Sequence, residues 1–246
     1  MKTYLISLCF AKPEVLRAGI ERSRSLMSGD VEHYFQDQHY PLYVDKIRQT
    51  MAGLAERYPN THLIDSGGPV GLLRGLNYFF NHIKDKLQPD DVVIQLDPDS
   101  WIETQGWDVA ITDVLADPQI AWASLMNPCS RTELPQRGYD PINVRGIRCW
   151  RTKAPCVNNV SGFRGDFLLK VGGFHAHMDH YGHMETATWS HILAQKKSWV
   201  YLPDYVETDV GRPAHDQAYI DWKWAFAHTA KWKGDFESYL AAGCPK

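Results

Sequence analysis

Residues 92–101 read VVIQLDPDSW. The apolar, β-branched run 92–96 has the pattern of a buried strand. Asp97 and Asp99 follow its carboxyl end, separated by Pro98. Two carboxylates so close repel each other, and a hard divalent cation offsets that repulsion directly. Magnesium and manganese take carboxylate oxygens and keep positions open for substrate phosphates. Pro98 fixes its own φ and stiffens the turn that presents the two acids. An acidic, solvated turn after a strand has the same spacing, so the surroundings of the motif decide its reading.

Outward from this stretch, strands and helices alternate. Residues 3–10, 33–37 (HYFQD) and 61–65 (THLID) read as strands upstream of it. Pro13 opens a helix through about Met27. Val44, Ile47, Met51, Leu54 and Tyr58 recur at three- and four-residue steps, which predicts an amphipathic helix over 42–58. Leu72, Leu76, Phe80, Ile83 and Leu87 share one face of the next helix. Downstream, a helix around 106–116 leads to IAWASLM (120–126). This alternation predicts an α/β fold: a Rossmann-like, mostly parallel central sheet flanked by helices in a single domain. Ligands of such sheets bind beyond the carboxyl ends of the strands. Asp37, Asp65, Asp97 and Asp99 all fall there, and that coincidence favours a site over a solvated turn.

From 127 to 156 the periodicity gives way to Pro-, Gly- and Arg-containing sequence, which predicts a long functional loop. NNVSGFRGDFLLKVGGF (158–174) reads as a strand, a short helical stretch and a double glycine. Residues 183–197 then read as a helix, SWVYLP (198–203) as a strand, and 216–230 as a Trp-rich closing helix. On this reading the domain has a half 1–126, ending past the D-x-D strand, and a half 127–246.

Bulk properties exclude some classes. The 26 Lys+Arg and 29 Asp+Glu leave a net charge of −3, so there is no global attraction to nucleic acid or membrane. Nine tryptophans suit a large core or a sugar-stacking cleft equally. The five cysteines (9, 129, 149, 156, 244) are scattered with no C-x-x-C pair, which predicts reduced thiols and neither a disulfide frame nor a zinc ribbon. Lys2 followed by YLISLCFA reads as a first strand: one lysine is a weak charged region, and Leu8 before Cys9 is too bulky for a lipoprotein cleavage site. No run approaches the ~20 apolar residues needed to cross a bilayer. A soluble, cytoplasmic protein is expected.

Taken in chain order, several pieces resemble one family. They are the first strand, the second strand ending in Asp37, GLLRGLN (71–77), the D-P-D at 97–99, VSGFRGDFLLKVGGF (160–174) and YGHMET (181–186). Together they resemble the family-2 type glycosyltransferases, which have the nucleotide-sugar-binding GT-A fold. The resemblance covers roughly residues 3–215, and its specificity lies in the combination. It implies Mn2+- or Mg2+-dependent transfer of a sugar from a nucleoside-diphosphate donor, a UDP-sugar foremost, to an acceptor hydroxyl with inversion. By the same resemblance Asp37 contacts the nucleotide base and Arg74 lies near the diphosphate. Asp99, with Asp97 close by, holds the metal, His215 in the loop RPAHD supplies a further ligand, and Glu185 is the catalytic base. Glu185-Thr186 stands where the family often has two adjacent acids. The second-strand segment FQDQHYP is atypical, so Asp65 rivals Asp37 for the base contact.

Other readings use the same residues. VVIQLDPDS also resembles the nucleophile strand of haloacid-dehalogenase-like phosphatases, which carry it near the start of the domain and have a small hydroxyl residue where Trp101 stands. A calcium loop lacks its oxygen ligand and glycine at Trp101 and Ile102. His175, His177, His180 and His183 are irregularly spaced for zinc and no cysteine joins them. A non-catalytic sugar-binding protein accounts for the aromatics but not for paired acids at a strand end. Between 131 and 153, Arg131, Arg137, Arg145, Arg148, Arg151 and Lys153 face only Glu133 and Asp140, six minus two, a local charge of +4. The glycosyltransferase resemblance puts this segment beside the acceptor side of the cleft, and with Tyr139 and Trp150 interleaved it implies acceptor binding by Arg145, Arg148, Arg151 and Trp150. The acceptor would be anionic: a phosphate-bearing glycan, a lipid-linked saccharide, or a nucleic acid carrying a hydroxylated base. A plain solvated loop is the alternative.

Overall fold

A computed structural model describes residues 1–10, 12–39, 43–67, 71–156, 159–175 and 184–209. In chain order the elements are β1 Thr3–Cys9, α1 Pro13–Ser25, β2 Glu32–Asp37, α2 Val44–Arg57, β3 Thr61–Asp65, α3 Gly71–Ile83, β4 Val92–Leu96, β5 Ser100–Ile102 and α4 Trp107–Leu115. They continue with β6 Ile120–Met126, α5 Pro128–Arg137, β7 Tyr139–Val144, β8 Ile147–Thr152, β9 Val160–Arg164, α6 Gly165–Val171, α7 Met184–Ala194 and β10 Ser198–Asp209. The expected helix 216–230 lies outside the described residues. No described helix is long and apolar enough to cross a membrane.

The strands form one sheet in the order β3-β2-β1-β4-β9-β6-β10-β8-β7, with β5 pairing against β10. Every residue of β1 is buried, as a central strand covered on both faces requires. Leu5 and Cys9 enter the core beneath α1, α2 and α4, while Tyr4, Ile6 and Leu8 enter the core beneath α3, α5, α6 and α7. In the second core Trp122 and Trp199, opposite each other on β6 and β10, stack at 3.9 Å and 5°. The expected alternation is therefore present, as three layers with the sheet in the middle.

The parallel reading describes β3-β2-β1-β4 and the β6–β10 pair. Elsewhere the sheet is antiparallel. β9 runs between β4 and β6 against both of them, and β8 and β7 extend it beyond β10. Gly162 lets α4 press onto β9, because a Cβ there would lie 2.3 Å from Ile111 Cγ2.

The segment 127–156, expected as a long loop, is a correction: it is helix α5 and the β7–β8 hairpin. Asn127 caps α5 reciprocally, its Oδ1 accepting the Ser130 N–H at 2.7 Å while Ser130 Oγ accepts the Asn127 N–H at 3.0 Å. The hairpin turns at Arg145 (φ 51°) and Gly146 (φ 90°), the two left-handed positions of a tight two-residue connection. The described cysteines Cys9, Cys129, Cys149 and Cys156 are all free thiols, and burial pushes the Cys149 thiol up to about 12.

Candidate active site

After β3 the chain crosses back through α3 and lays β4 on the opposite side of β1. The strand order reverses there, which opens a crevice at the carboxyl ends of the strands. Asp37 closes β2, Asp65 closes β3, and the register sets them directly opposite each other.

Asp37 is 2% exposed. Its carboxylate accepts the His39 backbone N–H at 2.7 Å and Arg48 Nε, from α2, at 2.6 Å. A carboxylate this deep is tolerable only with such a partner. Asp65 is exposed; its Oδ1 accepts His39 Nε2–H at 2.6 Å and the Gly67 N–H at 2.8 Å. Those hydrogen bonds, Gly67 first and then His39, hold Asp65 below the usual carboxylate range despite some desolvation. Arg48 also reaches His39 Nδ1 at 3.2 Å and Asp65 at 3.7 Å. Donation to Asp65 from one ring nitrogen and acceptance from Arg48 at the other fix the His39 tautomer, with its proton on Nε2. The two aspartates are thus parts of one array with His39 and Arg48. Such an array, with donors and acceptors side by side, can read the edge of a planar heterocycle.

Past β4 the chain turns tightly. The Ser100 N–H donates to Asp97 O at 3.0 Å, which closes a four-residue turn with Pro98 at its second position. Asp97 and Asp99 are half-buried, whereas Pro98 and Ser100 are buried. Gln95 Nε2 donates to Asp97 Oδ1 at 3.0 Å. Helix α1 lies on the turn so closely that a Cβ at Gly19 would fall 2.0 Å from Pro98 O. β5 then pairs with the end of β10, setting Asp209 opposite Ser100 and the fully buried Glu207 opposite Ile102.

Among the described residues no group of three His, Cys, Asp or Glu side chains gathers to hold a metal, and His215 lies outside them. The donors nevertheless fit a hard cation. Both are carboxylates, and magnesium-type sites commonly take one or two carboxylates and complete the shell with water and substrate phosphate. Beside them, Gln95 Oε1 and Ser100 Oγ are buried without a hydrogen-bond partner among the described residues, and a hydrated cation at the turn would supply donors for both.

Arg74 is half-buried in the first turn of α3. Gly75 beside it brings this helix end down onto the sheet, since a Cβ there would lie 2.9 Å from Gln38 Nε2 and 3.0 Å from Leu8 Cδ2. Arg74 thus starts from above the ends of β1 and β2.

Glu185 is half-buried in the first turn of α7. Burial first, then Cys156, Glu185 and Glu133, push the Tyr201 hydroxyl well above its ordinary range, which places Glu185 near the face of β10 that carries Tyr201. Tyr201 is opposite Trp150, and Trp150 stacks on Tyr139 at 4.4 Å and 18°. Glu185 and Trp150 therefore share one face of the sheet. The arginines do not gather there. Arg148 and Arg151 are an odd number of residues apart on β8, so they alternate to opposite faces. Arg148 Nε bonds Asp204 at 3.0 Å, Lys153 pairs with Asp140 at 2.7 Å, and Arg137 pairs with Glu133 at 3.2 Å. Arg131, Arg145 and Arg151 have no ion pair among the described residues. His175 binds Val171 O at 2.7 Å, while His177, His180 and His183 lie outside the described residues.

His39, Arg48 and Gly19 were not singled out in the sequence. The position of His39, two residues past Asp37, was its available signal; Arg48 and Gly19 look like ordinary helix positions.

No family model matches the sequence, and no curated protein matches it. Among solved structures the chain is similar to the mannosyltransferase PcManGT from Pyrobaculum calidifontis in complex with GDP-Man and Mn2+. That likeness has a TM-score of 0.66 at 14% identity and covers 90% of this chain and 59% of that one. It is also similar to GalNAc-T7 with UDP, GalNAc and Mn2+, with a TM-score of 0.63 at 10% identity, covering 98% of this chain and 54% of that one. The chain thus spans little more than half the length of either. At such identities the likeness establishes architecture, and that architecture is the GT-A fold.

Proposed function

We propose that this protein is a metal-dependent, family-2 type glycosyltransferase that moves a sugar from a nucleoside-diphosphate donor to an acceptor hydroxyl with inversion. The observation that carries the reading is the set of acids at the carboxyl ends of β2, β3 and β4 (Asp37, Asp65, Asp97 and Asp99), around the point where the strand order reverses. The two similar structures hold GDP-Man or UDP together with Mn2+, which supports the donor class and the metal.

In this reading Asp37, His39, Arg48 and Asp65 bind and orient the base end of the donor. Arg74 lends positive charge to the diphosphate. Asp97 and Asp99, with His215, hold Mn2+ or Mg2+, which when bound supplies Lewis-acid stabilisation to the departing diphosphate. Glu185 takes the proton of the acceptor hydroxyl as its oxygen bonds to the anomeric carbon. The bond from that carbon to the diphosphate oxygen breaks on the opposite side, inverting the centre. Trp150, with Tyr139, stacks on the acceptor. Arg148 shares the Trp150 face but is held by Asp204, and Arg151 lies on the other face of β8. The expected arginine cluster is therefore replaced by Arg145 at the hairpin tip, free of ion pairs among the described residues. It is the group that would meet an acceptor phosphate, whether of a glycan, a lipid-linked saccharide or a nucleic acid with a hydroxylated base.

The test is release of nucleoside diphosphate from a panel of UDP-, GDP- and dTDP-sugars with Mn2+ or Mg2+. Turnover is expected to disappear with chelator and with Asp99→Asn while the fold survives. Undiminished turnover by Asp99→Asn in excess chelator would overturn the reading.

A further inference from the structure

Helix α3 carries Arg74 and, one turn later on the same side, Asn77. Asn77 is 1% exposed, and its amide clasps one distant residue by both backbone groups. Asn77 Nδ2 donates to Phe174 O at 2.7 Å, and Asn77 Oδ1 accepts the Phe174 N–H at 2.8 Å. A side chain is here doing what a neighbouring strand would do, 97 residues away in sequence. Phe174 is itself buried and meets Phe163 edge-on at 5.2 Å.

The double glycine before Phe174 is built around this clasp. Gly172, in the left-handed region, ends α6. Gly173 has φ 118°, and a Cβ there would fall 2.5 Å from Asn77 Oδ1. Only glycine lets the turn approach the amide so closely.

Beyond the clasp the contacts continue into α7. Gly173, Phe174 and His175 line one recess together with Thr188 and His191 of α7. The His175 and His191 rings are 5.0 Å apart. Thr188 lies three residues after Glu185, one turn along the same helix face. A continuous path of packed groups therefore runs from Arg74 on α3, through Asn77 and the Gly173–His175 turn, to the helix that presents Glu185.

We infer that Asn77 is a positioning residue. It fastens the acceptor-side segment and α7 to the donor-side helix, so that the proton acceptor keeps a set distance from the donor's anomeric carbon. The inference rests on the transfer reading for its kinetic part and on geometry alone for the coupling. Misplacing a catalytic group by about 1 Å can lower the rate about 10²-fold without loosening substrate binding.

Three proteins are compared: wild type, Asn77→Ala and Asn77→Asp. Asn77→Asp keeps an acceptor for the Phe174 N–H, and its carboxyl, driven to the neutral form by burial, can still donate an O–H to Phe174 O. Protection of β1 and β4 shows whether each variant has folded. Hydrogen exchange is read first, because it needs no substrate. Exchange should accelerate at the Phe174 amide and across 184–194 in both variants, more in Asn77→Ala, while β1 and β4 stay protected. Unaltered exchange over 184–194 would overturn the coupling whatever the activity. Steady-state kinetics follow, with whichever donor of the UDP-, GDP- and dTDP-sugar panel wild type turns over. Transfer kcat should fall about 10²-fold in Asn77→Ala and less in Asn77→Asp, with the donor KM within about threefold of wild type. A raised KM at constant kcat would make Asn77 a donor contact, and unchanged kcat would leave it purely structural; either overturns the positioning role. Faster exchange at 184–194, with no turnover of any nucleotide sugar by wild type, would strike the transfer reading and leave the mechanical coupling standing.

Discussion

Arg48 is the residue on which the β2–β3 end of the site depends. It neutralises a carboxylate that is otherwise almost wholly enclosed, and it sets the His39 ring through Nδ1. Removing it leaves Asp37 buried beside an imidazole that only Asp65 still holds. Arg48→Ala is expected to weaken nucleoside-diphosphate binding about 10- to 100-fold, the scale of a lost charge-assisted hydrogen bond. Titration calorimetry with UDP and GDP in the presence of Mn2+ measures this, and unchanged affinity for both would remove the array from donor recognition. Glu185→Gln separates binding from chemistry. It should leave that affinity intact and slow transfer by about 10²–10⁴, the usual contribution of a general base. Lost donor affinity with normal turnover would instead make Glu185 a binding residue.

Two helical glycines test how the elements carry the site. Gly19 on α1 has Pro98 O where a side chain would go, whereas Gly53 on α2 has open space. Gly19→Ala forces the helix off the D-P-D turn, so it should destabilise the protein by about 1–3 kcal/mol and reduce metal-dependent turnover with it. Gly53→Ala should raise stability by about 0.5–1 kcal/mol, since alanine is the better helix former. Chemical denaturation of both variants decides, and equal responses would mean that α1 does not buttress the turn. Such packing also marks where the sequence could be read and where it could not. β1, β2 and β4 were legible as buried apolar runs and their helices as regular apolar faces. β3, which buries only Ile64, was legible from its place in the alternation and the Ser66-Gly67 break after it. The positions of Asp37, Asp65, Asp97 and Asp99 at or just past strand ends followed from those strands. α5 was not: it contains Pro135 and buries only Ser130 and Leu134, so it has almost no periodic stripe. The β7–β8 hairpin turns on Arg145-Gly146 instead of the familiar Asn-Gly, and a proline stands within β7. β5 is three residues long and makes sense only beside β10, roughly a hundred residues later. Arg48, His39 and Gly19 become parts of a site through contacts between elements, which local pattern does not encode.

Across the whole chain, the amino ends of the strands carry a second charged cluster, remote from the acids of the crevice. Burial raises the Glu32 carboxyl, but hydrogen bonds from Lys2 and Tyr34 and the charge of Lys86 outweigh it and bring it down to about 2. A depressed carboxyl contributes stability that is complete above its unfolded value of 4.5 and fades as pH falls toward 2. Glu32→Gln should therefore melt below wild type at pH 7, with the gap closing between about pH 4.5 and 2. A gap independent of pH would mean that the charge is not what the cluster uses. The insertion of β9 between β4 and β6 bears on how the polypeptide is born. Among the described residues β6 pairs with β9 and β10 alone, both of which leave the ribosome after it. Until residue 160 is synthesised, a strand that is wholly buried in the finished fold and apolar but for Ser124 waits with neither edge covered, and β4 waits with one edge open. Nascent chains halted after 126 should bind holdase chaperones and be cut rapidly by protease near 120–126. Chains halted once β9 and β10 have emerged should resist, so the last third of the translation product sets when the first half stops being an aggregation hazard.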